Sequence, residues 1–309
     1  MTRGSRAAGR DGVLFAASCA VLTAGAFLLG KQVLGELSAL QLVTSVYSCS
    51  ALFFLGHLLL SGERRTSRLT LGPGGIGSSA WIGAFDLVYN VALFSALRSM
   101  TSAAHGFCSL LGEVVTIALG VLVLGERYRS TEALWMLVAA AGVVVIQWSP
   151  VTAGRAGLAW ILVASLASGA RTVLAKRTLD SRSPAEVAFV RTAIVALGLL
   201  GISAASGTLT APSARTAGLV AAMGLVGPFL NTLCFYQALR RLSVARVVIL
   251  RMIYVVLIPL GAVLSGGQAL SPREVIGGAA ILAGCAMLVR GRGRRAAGAA
   301  AASPPPATT

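Results

Sequence analysis

Uninterrupted apolar runs of roughly 18 to 24 residues recur along nearly the whole chain, and each is long enough to cross a hydrocarbon layer about 30 Å thick as a helix. In that layer each backbone N–H and C=O must find its partner inside the chain. The runs are placed at about 12–30, 37–60, 78–97, 101–124, 131–148, 157–176, 185–205, 217–238, 243–265 and 273–290. Charged residues make up only 12% of the chain, about half the usual share of a soluble domain. No long polar stretch remains for a soluble domain. The expected fold is an all-α integral membrane protein of ten transmembrane helices. The first run follows Arg3, Arg6 and Arg10 as a signal peptide would, but with nine runs behind it we read it as an uncleaved first helix.

The net charge of +16 is unevenly distributed. With the N-terminus placed in the cytoplasm, alternate loops and both tails collect seventeen of the 26 lysines and arginines. The opposite side has five, and Arg171, Arg191, Arg246 and Arg251 lie within or at the edge of spans. That is a strong positive-inside bias. It puts both termini in the cytoplasm and sets the excess charge against anionic lipid headgroups of the cytoplasmic (inner) membrane. No motif for reading bases is present, so no nucleic-acid partner is expected. The five cysteines fall inside apolar runs without CxxC spacing and read as small core residues. No metal or cofactor is expected.

The second half repeats the first. A shift of 142 residues brings Ala96, Leu97, Arg98, Ala103, Gly125, Glu132 and Gly142 onto Ala238, Leu239, Arg240, Ala245, Gly267, Glu274 and Gly284. Near the start of each half the two lysines, Lys31 and Lys176, fall opposite each other at the ends of spans 1 and 6. A five-span repeat is odd-numbered, so its copies cross the membrane in opposite senses. Inverted repeats of this kind characterise transporters, whose site lies near the midplane between the copies. The chain is divided as 1–11 cytoplasmic N-tail, 12–150 first repeat, 151–290 second repeat, and 291–309 disordered basic, low-complexity tail.

The segment LGERYRSTEALWMLVAAAGVVVI closes the first half, and a weaker copy, SGGQALSPREVIGGAAILAGCAML, closes the second. With five plus five spans, the chain resembles the drug/metabolite transporter superfamily, EamA type. The resemblance implies a carrier of small organic solutes, often an exporter, with a central cavity between the halves. It names no substrate. Gln268 stands where the second LGE would have its acid, and Glu113 stands about where such proteins often have a proline.

Candidate site residues are polar groups within the spans. Glu113 lies roughly 20 Å along the helix from Glu126, near the bilayer centre, where a carboxylate has to face water, protein or a partner. His105, Ser109, Glu113 and Thr116 share one stripe of span 4. Span 9, its repeat partner, carries Arg251 and Tyr254 on its stripe, and Glu113 and Arg251 are expected to face each other or a shared wet cavity. Span 3 offers Asp86, Tyr89 and Asn90. Span 8 offers Asn231 beside Pro228, which breaks the hydrogen-bond ladder. Ser168 and Thr172 mark one face of span 6. Arg191, some six residues into span 7, is expected to snorkel to the surface. Spans 5 and 10, rich in Ala and Gly, read as packing or lipid-facing helices and as a homodimer contact.

Three readings of the acids stay open. They carry protons, they bind a cationic or zwitterionic solute, or Glu113 is held by Arg251 in a structural pair. The expected function is secondary-active transport of small organic metabolites or drugs, as an exporter by alternating access with proton coupling. The rivals are an integral membrane enzyme acting on a lipid-linked substrate, and a non-transporting scaffold or sensor. The enzyme reading suffers from the absence of DxxD and HExxH motifs and from loops too short for a catalytic domain.

Overall fold

The computed structural model describes residues 3–33, 36–61, 76–97, 102–126, 128, 130–147, 155–264 and 270–301. Among these residues the structure is entirely helical. The helices are α1 (Arg3–Val33), α2 (Ala39–Leu60), α3 (Ile76–Leu97), α4 (Ser102–Leu124), α5 (Ser130–Gln147), α6 (Arg155–Thr178) and α7 (Pro184–Ala205). Then come α8 (Ala214–Gly224), a π-helical segment (Leu225–Asn231), α9 (Thr232–Arg241), α10 (Val244–Arg251), α11 (Tyr254–Leu264) and α12 (Pro272–Ala301). Among the described residues eight stretches are long and apolar enough to cross a membrane: Arg10–Gly30, Ala39–Leu60, Gly77–Ala96, Arg155–Thr178, Pro184–Ala205, Ala214–Arg241, Val244–Gly261 and Pro272–Val289. Leu111–Leu124 and Ser130–Ile146 are shorter apolar helices. Leu52, Leu60, Trp81, Leu122, Leu197 and Ile276 are each more than half exposed, a surface that suits lipid and not water.

Local chemistry sets the helix ends. Ser38, Ser183 and Ser213 each accept a hydrogen bond from the backbone N–H three residues on, the N-cap arrangement. Ser271 and Glu274 form a reciprocal capping box at the start of α12, with Pro272 as its first residue. Gly125, at φ 66°, takes the left-handed conformation that ends α4, and its N–H bonds the Val121 carbonyl at 3.1 Å. At the opposite end of the bundle, Glu36 accepts hydrogen bonds from the hydroxyls of Thr216 and Ser213 at the start of α8. The Thr216 bond, then the Ser213 bond, hold its carboxyl below the usual carboxylate range.

Two expectations need correction, and the expected break at Pro228 takes a definite form. Span 9 is not one helix: it breaks at Met252–Ile253, where Val255 and Val256 bond back three residues instead of four. Span 8 carries a π segment around Pro228, whose missing N–H displaces the ladder. The chain's two ends are more helical than hydropathy implied. Helix α1 starts at Arg3, within the stretch read as a tail, and α12 runs on to Ala301, into the stretch expected to be disordered. Alanine, the residue with the best helix propensity, makes up five of the eleven residues 291–301.

Helix pairing follows a pattern. Helices α3 and α4 flank α6, just as segments 214–241 and 244–264 flank α1. Helix α3 packs on α7, as α8 and the π segment pack on α2. Helix α2 also packs on α7, and α5 on α12. The α5–α12 contact depends on glycine: a Cβ built on Gly142 would lie 2.5 Å from the Gly277 carbonyl oxygen, and one on Gly284 would lie 2.7 Å from that of Trp135. The small-residue faces of the two helices are thus spent on each other within the chain. The larger buried cluster gathers α9 and α10 residues (Leu239, Leu242, Val244, Val248) with Leu179 and Val187 from the α6–α7 turn. A smaller one, including Val33, Leu42 and Val220, sits at the opposite end.

Gly142→Leu is expected to destabilise the protein by about 1–3 kcal/mol, because the facing backbone cannot retreat. Gly201→Ala, in open space within α7, is expected to be neutral or to stabilise by about 0.5–1 kcal/mol. Thermal unfolding in detergent micelles measures both.

Candidate functional site

Asp86 is fully buried on α3 and stands between two arginines. Its Oδ2 accepts from Arg191 Nε of α7 at 2.7 Å, and its Oδ1 is bonded to Arg171 Nη1 of α6. Arg191 also donates to Thr232 Oγ1 at 3.0 Å. The Arg171 guanidinium lies 4.3 Å from the centre of the Tyr89 ring, a cation–π contact. Each group makes the others tolerable: in an apolar interior an unpaired charge would be costly.

Glu113 of α4 is ion-paired to Arg251 in the last turn of α10. A cation there also faces the negative end of the α10 dipole. The guanidinium lies 5.4 Å from the Phe235 ring centre. Between the two ion-paired groups is a partly open cavity lined by Glu113, Thr116, Ser168, Arg171, Thr172, Ala175, Arg191, Asn231, Thr232, Phe235, Tyr236, Val248 and Arg251. Two backbone irregularities border it. Asn231 ends the π segment, and Arg251 precedes the break between α10 and α11. Irregular backbone at membrane depth is tolerated where it lines a cavity.

Next to the lining residues Ala175 and Val248, Lys176 and Val244 bond to neighbouring helices. The N–H of Val244, the first residue of α10, donates to Glu126 Oε1 at 2.8 Å. Ser243, the N-cap residue there, makes no side-chain capping bond, so the acid of the LGE motif does that work from another helix. The left-handed Gly125 turns the chain so that Glu126 can reach it. Gly120 leaves room, since a Cβ there would lie 3.4 Å from Val244. The Tyr128 hydroxyl donates to the other Glu126 oxygen. Burial, and then that carboxylate, raise the Tyr128 phenol above its ordinary value. On the other side of the same turn Lys176 Nζ donates to the carbonyls of Leu239 and Leu242, the latter at 2.9 Å. An acid thus sits on the positive end of α10 and a base on the negative end of α9.

Among the sequence candidates, Glu113, Thr116, Asn231 and Arg251 line the cavity. Asp86 lies behind its wall, bound to two lining arginines. Tyr89 supports Arg171. Tyr254 starts α11, close to the Glu113–Arg251 pair. Asn90 turns away: its Nδ2 donates to the Asp86 carbonyl at 2.7 Å. The side chains of His105 and Ser109 lie outside the described residues. Arg191 does not snorkel; Asp86 and Thr232 hold it inside. Sequence reasoning missed Arg171 as well, although Ser168 and Thr172 had marked its helix face as polar.

The sequence profile of the EamA-like transporter family matches residues 10–148 and again 155–290. The chain belongs to that family. It is a multi-pass membrane protein, and its family is one of membrane transporters of small molecules. No curated protein matches the chain in sequence. One solved crystal structure resembles it over 95% of this chain and 99% of its own, at 19% identity and a TM-score of 0.69. That is a likeness of fold.

Asp86→Asn leaves two guanidiniums without their shared carboxylate. It is expected to cost about 3–5 kcal/mol of stability, as breaking a buried pair from one side does. Adding Arg171→Gln is expected to recover part of the loss. Denaturation midpoints of the single and double variants check this.

Proposed function

We propose that this protein is a secondary-active exporter of small organic metabolites or drugs in the cytoplasmic membrane. It works by alternating access, with two inverted five-helix repeats moving around the cavity. The observation that carries the reading is where the charges come from. All four ion pairs among the described residues run from an acid before residue 150 to an arginine after it: Asp86 to Arg171 and Arg191, Glu113 to Arg251, and Glu132 to Arg246. The cavity walls likewise come from both halves. A site between two bodies is what alternating access requires. The matched helix pairing and the twofold family match support the repeat.

With the basic loops inside, the larger apolar cluster and the Glu126–Lys176 closure lie at the cytoplasmic end. The conformation is then one closed toward the cytoplasm. Reopening separates Glu126 from α10 and Lys176 from α9. Of the two midplane acids, Glu113 is the coupling group: it lines the cavity, whereas Asp86 is sealed beneath two guanidiniums. A solute that engages Arg251 frees Glu113 for a proton.

Proteoliposomes test this directly. A transported solute is expected to show saturable counterflow, and Glu113→Gln is expected to remove the pH dependence of that flux. Flux that rises linearly with concentration, or an unchanged pH profile in Glu113→Gln, contradicts the proposal.

A further inference from the structure

The formal charges around the cavity do not cancel. Two further pairs do balance: Arg246 meets Glu132 at 2.7 Å, and Lys176 lies close to Glu126. At the cavity three guanidiniums (Arg171, Arg191, Arg251) face two carboxylates (Asp86, Glu113). One positive charge is left over. It arises at Asp86, which two arginines share. An uncompensated cation at this depth is expensive. A site that keeps one is built to have it neutralised by something that arrives.

The wall also has unused hydrogen-bonding capacity. Arg251 Nε and Asn231 Oδ1 are buried and lack a partner. A buried donor and a buried acceptor left open cost more than exposed ones, so they mark where a ligand makes contact. The free Arg251 Nε asks for an acceptor, as an anion supplies. Asn231 Oδ1 asks for a donor, an O–H or N–H on the same molecule.

Building on the carrier reading, we propose that the cavity takes a small organic anion, a carboxylate or phosphate monoester that also carries a hydrogen-bond donor. The anionic group sits among Arg171, Arg191 and Arg251, and the donor reaches Asn231. A monocarboxylate leaves the loaded cavity neutral overall while Glu113 stays ionised. Guanidinium suits this role, because its planar fork pairs with a carboxylate or phosphate through two parallel bonds. Tyr89 beneath Arg171 and Thr232 beside Arg191 hold the forks in place. This selects against the cationic solutes that two midplane acids alone would suggest.

The test is thermal unfolding of the purified full-length protein with probes that differ in charge but not in shape. 4-Hydroxybenzoate is compared with 4-hydroxybenzamide and 4-hydroxybenzylamine, and glycerol 3-phosphate with glycerol, at matched chloride ionic strength. An anion that binds the folded state raises the melting temperature with the logarithm of its concentration. At least one of the two anions is expected to do so, while its neutral and cationic counterparts do not; which one responds identifies the anionic group. Arg171→Gln removes the excess charge and leaves the Arg191–Asp86 bond in place, so the anion shift is expected to disappear. Arg171→Lys keeps the charge and is expected to keep the shift. Should Arg171→Gln not fold, Ser168→Asp cancels the excess by adding a carboxylate beside Arg171, with the same expected loss. Stabilisation by 4-hydroxybenzylamine or 4-hydroxybenzamide in preference to 4-hydroxybenzoate, no response to either anion, or an anion shift undiminished in a folded neutralising variant would overturn the proposal. An anion shift without counterflow in vesicles would instead refute the carrier reading alone. Counterflow of an amine or neutral solute without an anion shift would refute the anion site alone.

Discussion

A carboxylate placed in the interior of a membrane protein has to be matched, and Asp86 is matched twice. Everything around the cavity follows from that. Arg171 and Arg191 are drawn to one point from α6 and α7. Tyr89 and Thr232 are recruited to hold them, and a positive charge remains at the wall. A hydrophobic interior alone would not bring helices together here, because lipid tails are as apolar as leucine. Polar pairs and close glycine contacts supply the specificity instead. The glycines set α5 against α12, and the ion pairs tie the two halves around the cavity.

The division of charge between the halves has mechanical consequences. Acids come from the first half and arginines from the second, so relative motion of the halves changes these pairs together. Pairs that are only partly buried, such as Glu113–Arg251, are easier to exchange for water or a ligand than Asp86 with its two partners. The irregular backbone lies in the same region. The π segment and the break after Arg251 interrupt two neighbouring spans beside the cavity. The LGE acid, which seemed in the sequence only to end a span, caps a helix of the opposite half.

Much of this was legible in the sequence. Apart from the outer ends of α1 and α12, hydropathy placed the helix ends to within a few residues, because a membrane span announces itself by length and composition. The stripe on span 4 and the repeat register brought Glu113 and Arg251 to the same depth, and the two meet. Pro228 marked its irregular turn. Other features were not legible. Arg191 and Asp86 are about a hundred residues apart, and nothing local says that a buried arginine has found a partner instead of snorkelling. Arg171 counted only as a charge near a span edge. The break at Met252–Ile253 lies in an unbroken apolar run, and hydropathy is blind to it. The surplus charge appears only when five side chains from five helices are counted around one space.

The central claim is that one cavity between the halves faces each side of the membrane in turn. Ala175 lines it one residue from the Lys176 closure, so Ala175→Cys, in a chain whose own cysteines are replaced, reports its accessibility. Labelling by a membrane-impermeant thiol reagent, applied to one side of oriented vesicles at a time, is the most direct measurement. The account predicts modification from both sides, with the cytoplasmic rate rising when Glu126→Gln loosens the cap on α10. Modification from one side only, at a rate indifferent to Glu126, would contradict it.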